Sequence, residues 1–139
     1  MVKTQCPGEH EFEYCIYAHS GTWDEANVHR VAEQLAVPVM PAQSGVYKGD
    51  LPPAQSFLEI KQSQLILSAL KQSEDKSGFV IRIYNPTSTM VKGEINLMRA
   101  PQSVERVTME ELVVEKATVQ DRCISVDVAA KKVITLKIK

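Results

Sequence analysis

The decapeptide Gly78-Phe79-Val80-Ile81-Arg82-Ile83-Tyr84-Asn85-Pro86-Thr87 decides the fold. Phe79, Ile81 and Ile83 alternate with Val80, Arg82 and Tyr84, the period of a β-strand, and β-branched and aromatic residues dominate. One face is wholly apolar, and Val80 and Tyr84 add apolar area to the other. That is more than an edge strand with one wet face carries, so the strand is expected inside a sheet with Ile81 fully buried. Arg82 is expected to point outward, and Asn85-Pro86 to form a turn in which the Asn side chain bonds its own backbone.

Working outward, residues 57–139 hold two glycines and two prolines among many Val, Ile and Thr. Strands are expected at Phe57–Ile60, Leu65–Lys71, Phe79–Asn85, Val91–Met98, Val104–Thr108, Leu112–Thr118, Cys123–Val128 and Val133–Ile138, separated by turn clusters such as Ser73–Gly78 and Ala129–Lys132. Strands that follow one another without helices bury an inner face by stacking, which predicts a mainly β domain, an antiparallel sandwich of about eight strands over residues 51–139.

Residues 1–50 read differently. Phe12, Tyr14, Ile16 and Ala18 alternate with Glu11, Glu13 and Cys15, a strand pattern. After Ser20-Gly21, Thr22 and Glu25 form the spacing of a capping box, and Val28, Val31, Ala32 and Leu35 make one apolar helical stripe that Pro38 terminates. Trp23 is expected to anchor the first turn. Four of the seven prolines and two glycines then fall within residues 37–54, which predicts an extended connector. The sandwich is thus preceded by a strand-helix leader.

With 139 residues, 16 basic against 17 acidic and 44% apolar, the chain is large enough to bury a core without a disulfide or metal staple. The balanced charge excludes an electrostatic footprint for nucleic acid or an anionic membrane, and no apolar run is long enough to span a bilayer. Cys6, Cys15 and Cys123 are odd in number, which points to a reducing, cytoplasmic compartment.

Chemistry is sparse. Glycoside hydrolysis, as one example, needs two carboxyl groups flanking the scissile bond, about 5–5.5 Å apart for retention or about 6.5–9.5 Å for inversion, but Asp24 and Glu25 suit a helix first turn and Glu74 and Asp75 a hairpin loop. Cys6, His10, His19 and His29 lack the paired spacing of a metal site. No catalytic, cofactor-binding or metal-binding residue is assigned. Lys71, Glu74, Arg82 and Asn85 are the candidates for a domain interface, Arg82 either as a plain outward residue or as the partner of Glu74, Asp75 or a carboxylate outside the chain. Trp23, Tyr14 and Tyr17 are the candidates for sugar stacking, although alternation sends the two tyrosines to opposite faces.

The residue order carries more. Ser68-Ala69-Leu70-Lys71-Gln72-Ser73-Glu74-Asp75, followed by the Gly78–Thr87 stretch, resembles the "SALK-SED, then R-YNPT" block in the C-terminal domain of family 38 glycoside hydrolases, the α-mannosidases and mannosylglycerate hydrolases. Phe12–Ala26 resembles the family's "F-Y-IYPH-G-W-EA" passage, with Ala18 where proline is common. Val133–Ile138 resembles its terminal "E-I-TLKL" strand, with Lys132 in place of the acid. The resemblance implies a fragment. The nucleophile, the acid/base and the zinc ligands would belong to a large N-terminal α/β domain unlike anything in these residues, and Met1 would be an artificial start. The implied partners are that catalytic domain and, further, another subunit. The alternative is an autonomous carbohydrate-binding module.

Overall fold

In a computed structural model, residues 8–139 are described. The described residues form one helix, α1 (Val28–Ala36), and nine strands: β1 (Leu58–Ile60), β2 (Ile66–Gln72), β3 (Phe79–Tyr84), β4 (Val91–Leu97), β5 (Val104–Val107), β6 (Val113–Lys116), β7 (Thr118–Gln120), β8 (Cys123–Val128) and β9 (Val133–Ile138). They pair in two antiparallel sheets, β1-β4-β8-β7 and β2-β3-β9-β5-β6, the sandwich that the strand spacing predicts.

Nine strands replace eight because the stretch expected as one strand over Leu112–Thr118 divides at Ala117. β6 ends in the five-stranded sheet, the amide of Ala117 donates to the Val104 carbonyl, and β7 begins in the other sheet. A chain that changes sheets must leave one ladder to enter the next, so a continuous β-prone run holds two elements.

The core lies between the sheets. Ile81 pairs with Leu136 and Ile83 with Ile134 in one sheet, Ile95 with Ile124 in the other, and Leu65, Val104 and Val128 join them. Ile81 is fully buried, as the alternation of β3 requires. The opposite face of β3 is less simple. Val80 is also fully buried, and its neighbours on β9, Thr135 and Lys137, are nearly so. The β5–β6 loop over residues 108–112 covers them: the Met109 carbonyl accepts from Arg82, and the Met109 sulfur lies 3.9 Å from Thr135 Oγ1.

The leader departs from expectation. Phe12–Ala18 is not a strand; no ladder takes its hydrogen bonds, and Phe12, Tyr14 and Ile16 are 82%, 90% and 88% exposed. Alternation supplies a face, but a strand also needs a neighbouring backbone. The capping box forms, Thr22 N to Glu25 Oε2 at 2.8 Å and Glu25 N to Thr22 Oγ1 at 3.4 Å, yet it closes a turn rather than the helix. Asn27 then adopts a left-handed conformation (φ 51°), and regular helix begins only at Val28. No residue of α1 is fully buried: Val28 and Val31 of its apolar stripe are half-buried, and Ala32 and Leu35 are exposed. Residues 37–57 are exposed throughout and hold no helix or strand. No helix among the described residues is long and apolar enough to cross a membrane.

Candidate functional site

The densest polar chemistry gathers where the β2–β3 hairpin meets the outer face of the five-stranded sheet. The hairpin closes with Ser73 N donating to Gly78 O at 3.0 Å and turns through Lys76 in a left-handed conformation (φ 58°). Gly78 is required by close approach, since a Cβ there would strike the Ile138 carbonyl oxygen. Asp75 organises the turn. Its Oδ1 accepts from Ser73 Oγ (2.8 Å), Ser77 N (3.1 Å) and Ser77 Oγ (2.9 Å), and its Oδ2 lies 2.5 Å from the ammonium of Lys137, a residue only 6% exposed. Lys137, followed by the Ser77 amide and the two serine hydroxyls, holds the Asp75 carboxyl well below the usual carboxylate range.

Lys71 builds the second half. Its ammonium is 2.5 Å from Glu74 and 2.6 Å from Glu111, while the other Glu111 oxygen accepts from the Glu74 amide at 2.8 Å. Glu111 adopts a left-handed conformation (φ 65°) in the β5–β6 loop, and its side chain is almost wholly covered. Lys71 and the Glu74 amide lower its pKa, and Glu111 and Glu74 together raise that of Lys71. The loop is thus tied to the hairpin by charge as well as by the Met109 contacts.

Of the interface candidates, Lys71 and Glu74 come together, and Arg82 does not join them. Arg82 Nε donates to Thr135 Oγ1 at 3.3 Å and a terminal nitrogen to Met109 O at 3.4 Å; of its two readings, the pairing with Glu74 or Asp75 is not formed, because Lys71 and Lys137 hold those carboxylates. Register explains this. On the outer face the row nearest the hairpin turn is Lys71–Val80–Lys137, whereas Arg82 stands between Ala69 and Thr135, two residues and about 7 Å farther from the turn. Asn85 is buried and structural. Its Nδ2 donates to the carbonyls of Thr89, Val128 and Ala129, and its Oδ1 accepts from Thr87 N and Oγ1. Neither Glu111 nor Lys137 is legible in the sequence as part of this cluster, because their meeting with the hairpin depends on cross-sheet register.

The three rings proposed for sugar stacking do not share a platform. Tyr14 lines a cleft with Ala32, Leu35 and Ala36 of α1, the Tyr17 ring lies 5.8 Å from that of His19, and Trp23 carries the Lys131 ammonium 4.7 Å over one face with the His29 ring edge-on at 6.2 Å. Trp23 is half-exposed and does not anchor a core. Cys15 is exposed rather than packed, and Cys6 lies outside the described residues. Among the described residues no three His, Cys, Asp or Glu side chains converge as a metal site.

Because Asp75 and Glu111 are depressed in the folded state, what they add to stability is fully present above their unfolded pKa values, roughly 4, and is lost as pH falls through the lower folded values. The urea midpoint of the chain is therefore expected to hold from neutrality down to about pH 5 and to decline below about pH 4. Asp75→Asn should lower it at neutral pH, by leaving Lys137 without its carboxylate, and should flatten the acid decline. An unaltered acid profile in that variant would remove Asp75 from the account.

An antiparallel sandwich whose outer sheet face is covered by its own charged hairpin loop is the class that the geometry defines. A model of the family described as "Glycosyl hydrolases family 38 C-terminal beta sandwich domain" matches residues 64–136, more than half of the chain, and the chain belongs to that family. It is also 26% identical, over 137 residues, to a protein of Halalkalibacterium halodurans named "Putative mannosylglycerate hydrolase". That alignment takes in 97% of this chain, leader included, and the chain spans 15% of the relative's length.

Proposed function

We infer that the chain is the non-catalytic C-terminal domain of a larger family-38-type α-mannosidase, a hydrolase of α-mannosidic bonds, and that it works by packing against the catalytic domain of the same polypeptide. The match to the family's C-terminal sandwich over residues 64–136 carries this reading. The named activity of the longer relative supports the substrate class. Exposed apolar side chains supply docking surface: Met109, Leu112, Val113 and Val114 stand out on the β5–β6 hairpin, which a freestanding domain would cover or charge. In this reading the nucleophile, the acid/base and zinc sit in the catalytic domain, a second subunit is a further partner, and the unpaired Cys15 and Cys123 suit the reducing cytoplasm.

The test is an assay with an aryl α-mannoside. The isolated chain is expected to be inactive with and without added zinc, and the longer polypeptide active. Turnover by the isolated chain that survives re-purification and disappears on mutating one of its own carboxylates would contradict the reading.

A further inference from the structure

We propose that Phe12–Ala18 is a strand held ready for a sheet outside this chain, and that it adds edge-on to a β-sheet in the remainder of the parent polypeptide. The inference rests on the reading of the chain as one domain of a longer hydrolase. Three observations carry it. The segment has the alternation of a half-buried strand, with Phe12, Tyr14 and Ile16 on one side and Glu11, Glu13, Cys15 and Tyr17 on the other. It holds no helix, turn or strand, among the described residues none of its backbone groups is paired with another backbone group, and the three apolar side chains stand almost fully in solvent. Finally, the same end of the chain holds a second unsatisfied surface. Phe12–Cys15 line an open cleft with Ala32, Leu35 and Ala36 of α1, and Ala32 and Leu35 of the helix stripe are exposed.

A strand and an amphipathic helix side by side form one edge unit of a helix-covered sheet, in which the ladder satisfies the strand backbone and the helix closes over the apolar side chains. The edges of this chain's own sandwich are not used for it, although β1, β7, β2 and β6 all lie at sheet borders. The occupant is sought in the remainder of the polypeptide because the alignment with the longer relative includes this leader, while 85% of that relative lies beyond it.

Hydrogen exchange at residues 12–18 tests this in the isolated chain and in the full-length parent. The amides should exchange freely in the chain and at least ~10-fold more slowly in the parent, with protection on alternate residues as for an edge strand. Ile16→Pro, which removes a ladder donor, should lower the Tm of the parent and leave the urea midpoint of the isolated chain unchanged. Free exchange in a parent that still hydrolyses an aryl α-mannoside would overturn the strand addition while leaving the proposed function standing. Protection already present in the isolated chain would also overturn it: independent of concentration it would mean pairing with its own sandwich, and rising with concentration it would mean pairing with a second copy. A parent without glycosidase activity would instead remove the functional reading on which the inference rests.

Discussion

Ile81→Ala is expected to destabilise the isolated chain by about 2–5 kcal/mol, a large share of the roughly 5–15 kcal/mol that holds a domain folded. Ile81 is fully buried, stands opposite Leu136 in the ladder and belongs to the core formed by both sheets. Truncation removes its transfer energy and leaves a cavity that two hydrogen-bonded sheets cannot close by collapsing. The neighbouring Arg82→Ala is expected to cost less than about 1.5 kcal/mol, since its two hydrogen bonds are long and its side chain is half-exposed. Urea denaturation of both variants decides: equal losses at the two positions would mean that the faces of β3 are reversed.

Asn85→Ala is expected to cost about 2–4 kcal/mol, because several of its partners lose their bonds and each buried group left unpaired costs roughly 1–3 kcal/mol. Asn85 joins its own turn, Thr87 and Thr89, to the distant β8–β9 corner over residues 128–132. Its backbone amide donates to Lys132, its Nδ2 to Thr89, Val128 and Ala129, and its Oδ1 receives both polar hydrogens of Thr87. Asn85→Asp separates hydrogen bonding from volume. The shape is kept, but a carboxylate oxygen then faces three carbonyls, and the loss at neutral pH should equal or exceed that of the alanine variant. A near-neutral Asp variant would show that the Nδ2 bonds do not hold this corner.

The same residues show what could be read without coordinates. Alternation alone places Ile81 and Ile83 inside, because burial on one face of a strand is a period-2 property of the chain itself. Burial of Val80 on the other face was not legible, since the loop over 108–112 that covers it lies some thirty residues away and is tied down by Glu111 reaching Lys71. Lys71 and Glu74, three residues apart at one hairpin, could be paired from sequence. Lys137 with Asp75 could not, because that contact requires the β3–β9 register. Phe12–Ala18 is the opposite case: the pattern reads as a strand, and the residues that would complete it are not found beside it. Ala117 shows a third limit, as nothing in a β-prone run announces that the chain changes sheets within it.

These differences divide the described residues into two parts. Residues from Leu58 onward carry the ladders, the core and the charged hairpin, whereas residues 8–57 present a partly exposed helix stripe and exposed aromatics. A sandwich that satisfies itself, joined to a leader that does not, fits the docking role proposed above.

Limited proteolysis tests that division most directly. Cleavage is expected first within residues 37–54, where the backbone is exposed and without regular structure, leaving a resistant fragment that begins near Leu58 and unfolds at the same urea midpoint as the intact chain. First cuts inside β3 or β9, or a trimmed fragment with a clearly lower midpoint, would mean that the leader supports this sandwich and would contradict the account.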